Sequence, residues 1–404
     1  MTISTRRIAL GLAAAFALGG AALAQQPQQA PAWAQGRPDS MAASPLAPHP
    51  PRLTVTPPEQ VPTAALRVPE GFQVELWAHG MPGARMMALG DDGTVFVGTR
   101  VIGRVYAVKD EGGQRTHRIV AQGLRQPNGL AFRDGSLYVL AINEVYRYDG
   151  IERNPEVQPV NLTEAFNLPR DEHHGWKFAA FGPDGRLYTN VGVPCNICEF
   201  DRDAYALIVS FNPDGSDRRI EAKGIRNSVG FDWHPQTREL WATNNGRDWA
   251  GNDMPEDTLH RIRRSGEDHG FPWCAANWRD PFLSSGPANC NEFVAPAALL
   301  GPHTAALGMR FYTGEMFPEQ YRNQIFIARR GSWNRETLAG YDVVVAKLDG
   351  EGRVTAVEPF LTGLLDEANN RFLGRPVDVL QLRDGSLLVS DEQNGAIYRI
   401  SRAR

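Results

Sequence analysis

Two adjacent histidines, His173 and His174, are the side chains best suited to acid–base chemistry in this 404-residue chain. Imidazole has the unperturbed pKa nearest neutrality, so histidine is the usual general base for taking a proton from a hydroxyl group. The pair stands just before a segment with the pattern of a strand, a Pro183-Asp-Gly185 turn and a second strand. We therefore expect the histidines at the entry of a structural unit, where loops present chemistry on a rigid scaffold. The alternative is that they are ordinary loop residues.

The elements that must position these histidines repeat along the chain. A turn followed by an alternating strand occurs six times, at residues 89–97, 130–139, 181–188, 231–241, 309–328 and 379–390. Groups of strands at intervals of roughly 40 to 80 residues, with turns inside each group, are typical of a β-propeller. Each group is too small to bury its own faces, so stacking around an axis would supply the core. The sequence predicts an all-β fold, a six-bladed β-propeller.

The two ends of the chain predict how the ring closes and where the protein resides. Residues 72–77 alternate apolar and polar side chains and could complete the last blade, which would hide a sheet edge. Residues 1–24 combine Arg6-Arg7, an apolar run and a small-x-small cleavage pattern, as a secretory signal peptide does. Residues 25–65 are rich in Pro, Gln and Ala and are predicted to be a disordered linker, followed by the propeller at 66–404.

Charge and hydropathy exclude several classes of partner. The net charge of −4 is too small to indicate binding to nucleic acid or to an anionic membrane surface. Beyond the signal peptide, no stretch is long and apolar enough to span a bilayer. Charge and hydropathy thus predict no membrane span and no nucleic-acid partner. The signal peptide predicts that the protein resides in the bacterial periplasm.

Four cysteines allow several interpretations. Cys195 and Cys198 form a C-x-x-C pair, which also occurs in zinc, redox and haem sites. Haem attachment needs a histidine after the second cysteine, where Glu199 stands. An oxidising compartment favours two local disulfides, Cys195–Cys198 and Cys274–Cys290, and a metal or redox role remains the alternative.

Four ordered segments resemble a known family. Residues 69–74 (PEGFQV), 173–176 (HHGW), 224–233 (GIRNSVGFDW) and 374–379 (GRPVDV) resemble the soluble quinoprotein sugar dehydrogenases, which include glucose and sorbosone dehydrogenases. The likeness runs from about residue 66 to the C-terminus, and the sorbosone-type branch is the most similar. It implies a six-bladed propeller that binds pyrroloquinoline quinone (PQQ) and Ca²⁺ and oxidises a sugar hydroxyl. A soluble acceptor, a quinone or a cytochrome, would take the electrons.

The resemblance also assigns roles to individual positions. His174 corresponds to the base that takes the proton of the sugar C1 hydroxyl, and Arg226 to the cation that stabilises negative charge on the quinone. Asn227 would hydrogen-bond to the cofactor. The backbone carbonyls of Gly246 and Arg247 correspond to the pair that holds Ca²⁺, a hard cation that prefers oxygen.

Further arginines would bind the cofactor carboxylates. Arg375 corresponds to an arginine near those carboxylates, where a guanidinium can bind two oxygens at once. Either Arg329 or Arg330 would replace a lysine of the family in the same role. Blade-to-blade ion pairs are the alternative for Arg226 and Arg375, because the chain has far more arginine than lysine.

Three positions depart from the glucose-oxidising branch. Val229 and Val377 replace polar residues that contact cofactor or substrate, and His173 replaces an aspartate beside the base. Glucose specificity is therefore not expected to transfer to this chain. Two other functions stay open: a propeller that binds a partner without catalysis, and a Ca²⁺-dependent sugar lactonase.

Overall fold

A computed structural model describes residue 1 and residues 31–403 of the protein. Apart from Met1, the predicted signal peptide and residues 25–30 of the predicted linker lie outside the described residues. Within the described part, no helix has the length and apolar character needed to cross a membrane. The fold is a six-bladed β-propeller, as predicted.

Strand β1 (Phe72–Ala78) comes first in the chain and belongs to the last blade. The first blade contains β2 (Met87–Leu89), β3 (Val95–Val97), β4 (Arg104–Glu111) and β5 (Gln114–Gln122). The second contains β6 (Gly129–Arg133), β7 (Ser136–Leu140), β8 (Val145–Asp149) and β9 (Val160–Asn161), followed by a short helix, α1 (Thr163–Phe166). The third contains β10 (Ala179–Phe181), β11 (Leu187–Val191), β12 (Leu207–Phe211) and β13 (Arg219–Lys223).

The second half of the ring continues the same order. The fourth blade contains β14 (Phe231–Trp233), β15 (Leu240–Asn244), β16 (Glu256–Ile262) and, later in the chain, β20 (Ala298–Pro302). Between β16 and β20 lie β17 (Glu267–Asp268), which pairs parallel to β13, and a hairpin of β18 (Cys274–Ala275) and β19 (Trp278–Arg279). The fifth blade contains β21 (Ala306–Phe311), β22 (Ile325–Arg329), β23 (Asp342–Leu348) and β24 (Val354–Leu361). After a hairpin of β25 (Leu365–Asp366) and β26 (Arg371–Phe372), the sixth blade adds β27 (Pro376–Gln381), β28 (Leu387–Asp391) and β29 (Ala396–Arg402).

The ring closes by pairing its first strand with its last. Strand β1 runs antiparallel to β29, with Phe72 opposite Arg402 and Ala78 opposite Ile397. This pairing covers an edge of the sixth blade that would otherwise offer unpaired backbone groups to other chains. The closure predicted from the alternating pattern of residues 72–77 is confirmed.

The core lies between neighbouring blades, because each sheet packs a face against the next one. Trp241 of β15, for example, packs in one cluster with Met309 of β21 and Ile327 of β22, and all three are fully buried. Inner strands are therefore buried on both faces and consist of β-branched and aromatic residues, as β3 (Val95–Val97) does. This rigid ring positions the loops that join the strands.

The two predicted local disulfides are confirmed. Cys195 is bonded to Cys198 between β11 and β12, and Cys274 is bonded to Cys290 in the long segment between β16 and β20. Both bonds close loops between strands.

The N-terminal segment differs from the linker predicted over residues 25–65. Residues 32–65 form four short 3₁₀ turns, Ala32–Ala34, Asp39–Met41, Pro58–Gln60 and Thr63–Ala65, and belong to one compact unit with the propeller. The side chain of Val61 is buried in the core cluster shared by the fifth and sixth blades. Proline has no N–H to satisfy, so a proline-rich segment can pack through apolar contacts with few backbone hydrogen bonds. Composition alone therefore indicates disorder where the structure has a docked segment.

Candidate active site

A cavity of about 460 Å³ lies where loops from the blades converge. Its size is typical of a small-molecule binding site. Six of the eight predicted site residues line it: His174, Arg226, Asn227, Gly246, Arg330 and Arg375. They come from far apart in sequence, before β10, between β13 and β14, after β15, after β22 and before β27. The propeller is what brings them together.

His174 is held by both its backbone and its ring. Its side chain is buried, and its backbone has a φ of 53°, a left-handed conformation that is uncommon for residues other than glycine and that clusters at functional sites. Gly192 permits this close packing, because a Cβ at that position would lie only 2.6 Å from the Cβ of His174. The Nδ1 atom lies 2.8 Å from the carbonyl oxygen of Val193. A carbonyl only accepts, so Nδ1 carries the proton and Nε2 keeps its lone pair.

The surroundings of His174 keep its ring neutral. Burial lowers its pKa well below the usual value, and the neighbouring His173 and the Arg226 cation lower it further. Burial, with Arg226 and Arg100, also lowers the pKa of His173 to about 4. The centres of the two imidazole rings are 4.0 Å apart. At neutral pH both histidines are therefore uncharged, and His174 offers a free basic nitrogen.

Arg226 is bonded on several sides to the protein. Its Nε and Nη2 atoms donate to the backbone and side-chain oxygens of Asn196, both at 2.9 Å. Its Nη1 donates to the carbonyl oxygens of Gly246 at 3.0 Å and Asn245 at 3.3 Å. The carboxylate of Asp248 lies 3.8 Å from Nη2. Burial lowers the pKa of Arg226 to about 10, so the group stays a cation at neutral pH.

Arg375 is buried to the same extent but is bonded much less completely. Among the described residues, its Nε and Nη2 atoms have no hydrogen-bond partner. Its Nη1 lies 3.9 Å from the carboxylate of Glu392. Burial lowers its pKa to about 9, with a further contribution from the Arg330 cation. Buried donors without partners are rare in folded proteins, because each costs free energy.

Glu392 organises a cluster of three arginines at this end of the cavity. Arg85 and Arg330 both form ion pairs with it, and Arg375 approaches it. Burial by itself raises the pKa of Glu392, but the three cations outweigh that effect and hold it well below its usual range. With three cations around one carboxylate, the cluster is electropositive and is suited to an anionic ligand.

Asn227 also contributes an unsatisfied polar atom to the cavity. Its Oδ1 is buried without a partner among the described residues, whereas its backbone N–H donates to Asn244 Oδ1 at 3.1 Å. Asn227 and Arg375 both line the cavity and together present one acceptor and two donors without partners. Among the described residues of the cavity wall, His173 Nε2 and Asn334 Nδ2 are also unpartnered. The wall is thus built to bind a polar ligand.

The remaining two predicted residues are placed elsewhere. Arg329 lies at the end of β22 and forms an ion pair with Asp342, with Nε 2.7 Å from Oδ1. The Arg247 side chain donates from Nη2 to Asp280 at 3.0 Å. Neither residue is among the described residues that line the cavity. Of the two adjacent arginines proposed as alternatives, only Arg330 reaches the cavity wall.

The two valines that depart from the glucose-oxidising branch are packed in the core. Val229 and Val377 are fully buried in one apolar cluster together with Leu307, which also lines the cavity. An arginine or glutamine at either position would have to displace this packing. At these two positions the chain therefore has apolar packing next to the cavity instead of polar side chains.

Several residues of the site are missed by sequence reasoning. Asn196 binds Arg226, and Glu392 and Arg85 complete the arginine cluster. Trp33 and His49, from the segment predicted as a linker, also line the cavity. Of these residues, only Asn196 lies in a motif that the sequence makes visible, the C-x-x-C loop that the Cys195–Cys198 disulfide closes.

The fold and cavity together define a class: a six-bladed propeller whose central cavity combines a neutral histidine with an arginine cluster. The model of the "Glucose / Sorbosone dehydrogenase" family matches residues 208–399. An "Uncharacterized protein" of Borreliella burgdorferi is 31% identical over 352 residues, which cover 84% of this chain and 91% of that protein. A PQQ-dependent pyranose dehydrogenase of Coprinopsis cinerea is 29% identical over 168 residues, covering 33% of this chain and 22% of that protein. This chain belongs to the glucose/sorbosone dehydrogenase family, a family of oxidoreductases.

Solved structures of similar fold include quinoproteins. The holo PQQ domain of Coprinopsis cinerea pyranose dehydrogenase has a TM-score of 0.69 at 20% identity, covering 83% of this chain and 97% of that one. The PQQ-bound aldose sugar dehydrogenase of Streptomyces coelicolor has a TM-score of 0.59 at 18% identity, covering 83% and 99%. A calcium structure of a Trichoderma reesei enzyme of carbohydrate-active family AA12 has a TM-score of 0.72 at 18% identity, covering 84% and 97%. At these identities the likeness establishes the fold.

Proposed function

We propose that this protein is a PQQ-dependent dehydrogenase that oxidises the hydroxyl group of an aldose-like or sorbosone-like sugar. The observation that carries the proposal is the convergence of two features on one cavity. One is the neutral His174 with its free Nε2, and the other is Arg375 with its unpartnered donors. The first can take a proton, and the second can bind an anionic cofactor. Membership of the glucose/sorbosone dehydrogenase family supports the same reaction class.

The residues present fit PQQ. This quinone carries carboxylates, which match the electropositive cluster of Arg85, Arg330 and Arg375. The orphaned Nε and Nη2 of Arg375 would gain acceptors, and the orphaned Oδ1 of Asn227 would gain a polar partner. Burial of these groups strengthens their interaction with an ionised ligand, since the local dielectric constant is low.

The residues fit a calcium ion less well. The carbonyl oxygen of Gly246 already accepts a hydrogen bond from the Arg226 cation at 3.0 Å. No group of three or more histidine, cysteine, aspartate or glutamate side chains is placed to hold a metal within the described part of the chain. Because Ca²⁺ takes about six to eight oxygen ligands, two backbone carbonyls would leave most of its coordination unfilled. We therefore assign no catalytic step to calcium, and its role remains a prediction.

The chain's own residues would handle the proton and the developing charge. Bound PQQ would supply the hydride acceptor. His174 Nε2 would take the hydroxyl proton of the sugar as the carbon-bound hydrogen leaves with its electron pair, and the product would be a carbonyl or lactone. The hydrogen bond to Val193 fixes the tautomer that makes this possible. The fixed Arg226 cation would stabilise negative charge without reorganisation.

The partners and location belong to the same proposal. The substrate would be a small sugar, and a soluble quinone or cytochrome would reoxidise the protein. The N-terminal sequence supports secretion into the periplasm.

Dye reduction tests the proposed function. Purified mature protein would be loaded with PQQ and assayed against a panel of aldoses, polyols and hydrated aldehydes, with the cofactor-free protein as the control. At least one sugar should reduce the dye only after loading, and deuterium at its C1 should slow turnover. If the loaded protein oxidises nothing in the panel, the proposal fails.

A further inference from the structure

The segment ahead of the propeller contributes to the cavity wall. We define residues 32–51 as the N-terminal strap. Its residues Trp33, Pro48, His49 and Pro51 line the same cavity as His174 and Arg375. The strap is therefore in a position to contact whatever the cavity holds.

One end of the strap is bonded to the third and fourth blades. The carbonyl oxygen of Trp33 accepts a hydrogen bond from Trp249 Nε1 at 2.6 Å. Gln35 bonds to Asn196 twice, accepting from its backbone N–H at 3.1 Å and from its Nδ2 at 2.7 Å. The guanidinium of Arg37 lies 4.6 Å above the ring of Trp249. Asn196 also holds Arg226, so this anchor and the active site share a residue.

The other end is bonded near the fifth and sixth blades. His49 Nε2 lies 3.3 Å from the carbonyl oxygen of Ser332, between β22 and β23. The His49 ring also packs against Phe372 of β26, with ring centres 4.8 Å apart. Since the two anchors lie on different blades, the strap bridges between them beside the cavity.

The strap completes a cluster of three tryptophans. The ring of Trp33 lies 6.3 Å from that of Trp249 and meets Trp333 edge-on at 5.7 Å. Trp249 is buried, while Trp33 and Trp333 line the cavity. A pyranose ring has faces of C–H groups that pack on aromatic rings, and its hydroxyls hydrogen-bond to polar neighbours. Asp248 and Asn334, also in the cavity wall, provide such neighbours.

We infer that the N-terminal strap is part of the substrate site and that Trp33 is a sugar-binding residue supplied from outside the propeller. The inference rests on the proposed function and names the element that binds its substrate. The arginine cluster holds the cofactor, whereas Trp33 and Trp333 form the wall against which the sugar ring packs. Removal of the Trp33 ring should therefore weaken binding of the sugar and leave binding of the cofactor unchanged.

The test compares Trp33→Ala with two controls. Trp33→Phe keeps an aromatic face, and Leu53→Ala changes an exposed residue of the same N-terminal segment that does not line this cavity. In PQQ-loaded protein, Trp33→Ala should raise KM for the best sugar about tenfold, near the upper end for aromatic contacts. It should change kcat and PQQ affinity by less than about twofold. Trp33→Phe should recover most of the loss, and Leu53→Ala should match the wild type.

Three results would overturn the inference. They are an unchanged KM in Trp33→Ala, a loss confined to PQQ affinity, and equal losses in Trp33→Ala and Leu53→Ala. Thermal unfolding of each variant checks that the fold is kept.

A separate experiment distinguishes failure of the proposed function from failure of the strap inference. Calorimetry would measure binding of the panel sugars to cofactor-free protein, without any turnover. If PQQ fails to bind but a pyranose binds the wild type about tenfold more tightly than Trp33→Ala, the strap inference stands and the dehydrogenase proposal falls. If no sugar binds the wild type with or without PQQ, or both proteins bind it equally, the strap inference falls.

Discussion

Two buried arginines line the same cavity but are bonded in opposite ways. Arg226 donates hydrogen bonds from all three of its nitrogens to Asn196, Asn245 and Gly246. Arg375, equally buried, keeps Nε and Nη2 unpartnered within residues 31–403. A buried unpaired donor costs about 1–3 kcal/mol, so a ligand that binds it recovers that free energy. The difference indicates that the fold holds the Arg226 cation in a fixed position, whereas Arg375 keeps donors free for a ligand.

The charges around the two arginines differ in the same sense. Arg226 lies among acidic groups, with Asp248 at 3.8 Å and Asp257 also contributing to its electrostatic environment. Arg375 lies beside the Arg330 cation, and Glu392 is the carboxylate that the three arginines of the cluster share. The end of the cavity near His174 and Arg226 is suited to moving a proton at a fixed position. The end near Arg375 is suited to holding an anion.

The largest expected effect concerns the proton-transfer end. His174→Ala should lower kcat by about 10³-fold, within the range of roughly 10²–10⁴ for loss of a general base. His117→Ala, on β5 outside this cavity, is the matched control and should keep wild-type turnover. Steady-state dye reduction with PQQ-loaded protein measures both. A decrease in kcat of less than about tenfold in His174→Ala would show that His174 is not the general base.

The unfolding free energies of Arg226→Met and Arg375→Met test the comparison itself. Arg226→Met should lose about 3 kcal/mol, because it leaves Asp248 and several carbonyl oxygens without a buried partner. Arg375→Met should lose less than about 1 kcal/mol in cofactor-free protein, because it removes a cation whose donors are unpaired. Urea unfolding followed by fluorescence gives both values. Equal losses in the two variants would show that the bonding difference has no energetic consequence.

Two adjacent arginines provide the next test of the anion-binding end. Arg330→Met should weaken PQQ about tenfold, because a charge-assisted hydrogen bond to the cofactor would be lost. Arg329→Met should leave PQQ affinity at the wild-type value, since Arg329 is paired with Asp342 away from the cavity. Equilibrium titration of PQQ measures both. Equal effects would mean that the cluster attracts the cofactor only through its overall charge.

The smallest expected effect is a shift in pH dependence. Burial lowers the pKa of His174 well below 6.5, so kcat/KM should stay level from pH 8 to below pH 6.5 and fall only at lower pH. His173 lowers the pKa of His174 further, so His173→Ala should move this acid limb towards higher pH. An acid limb at pH 6.5 or above in the wild type would contradict the buried, neutral base.

The same pKa shift affects stability and sets a control for the pH profile. The unfolded chain binds a proton at His174 near pH 6.5, whereas the folded chain does so only at much lower pH. The contribution of neutral His174 to the free energy of unfolding is therefore fully present above pH 6.5 and decreases as the pH falls below 6.5. Circular dichroism at each pH separates this loss from protonation of the base.

The ring of blades could be predicted because its signals are local. A Pro-Asp-Gly or Asp-Gly turn marks the inner strands of the first, second, third and sixth blades, looser turns mark those of the fourth and fifth, and Phe72–Ala78 pairs as its alternation predicts. The outer strands are harder to predict. Strand β5 is largely exposed, so no burial pattern constrains its sequence. The proline-rich composition of the strap resembles that of linkers and predicts disorder, whereas its contacts depend on tertiary packing.

The site could be predicted only as far as motifs extend. His174, Arg226 and Asn227 lie in segments with a family pattern, and the structure gathers them in one cavity. Glu392 and Arg85 lie in no such pattern, and only the ring brings them to Arg375. Arg226 donates its hydrogen bonds to the protein, whereas Arg375 keeps donors free for a ligand. This difference depends on partners in three dimensions, which the spacing of residues in the sequence does not reveal.

Titration of PQQ into cofactor-free wild type and Arg375→Met tests the central claim most directly. Quinone absorbance and quenching of tryptophan fluorescence would be followed with and without Ca²⁺. The wild type should bind one equivalent of PQQ with micromolar or tighter affinity, and Arg375→Met should bind about 100-fold more weakly. No saturable uptake by the wild type, or equal affinity in the two proteins, would contradict the account of Arg375 as a ligand-binding residue.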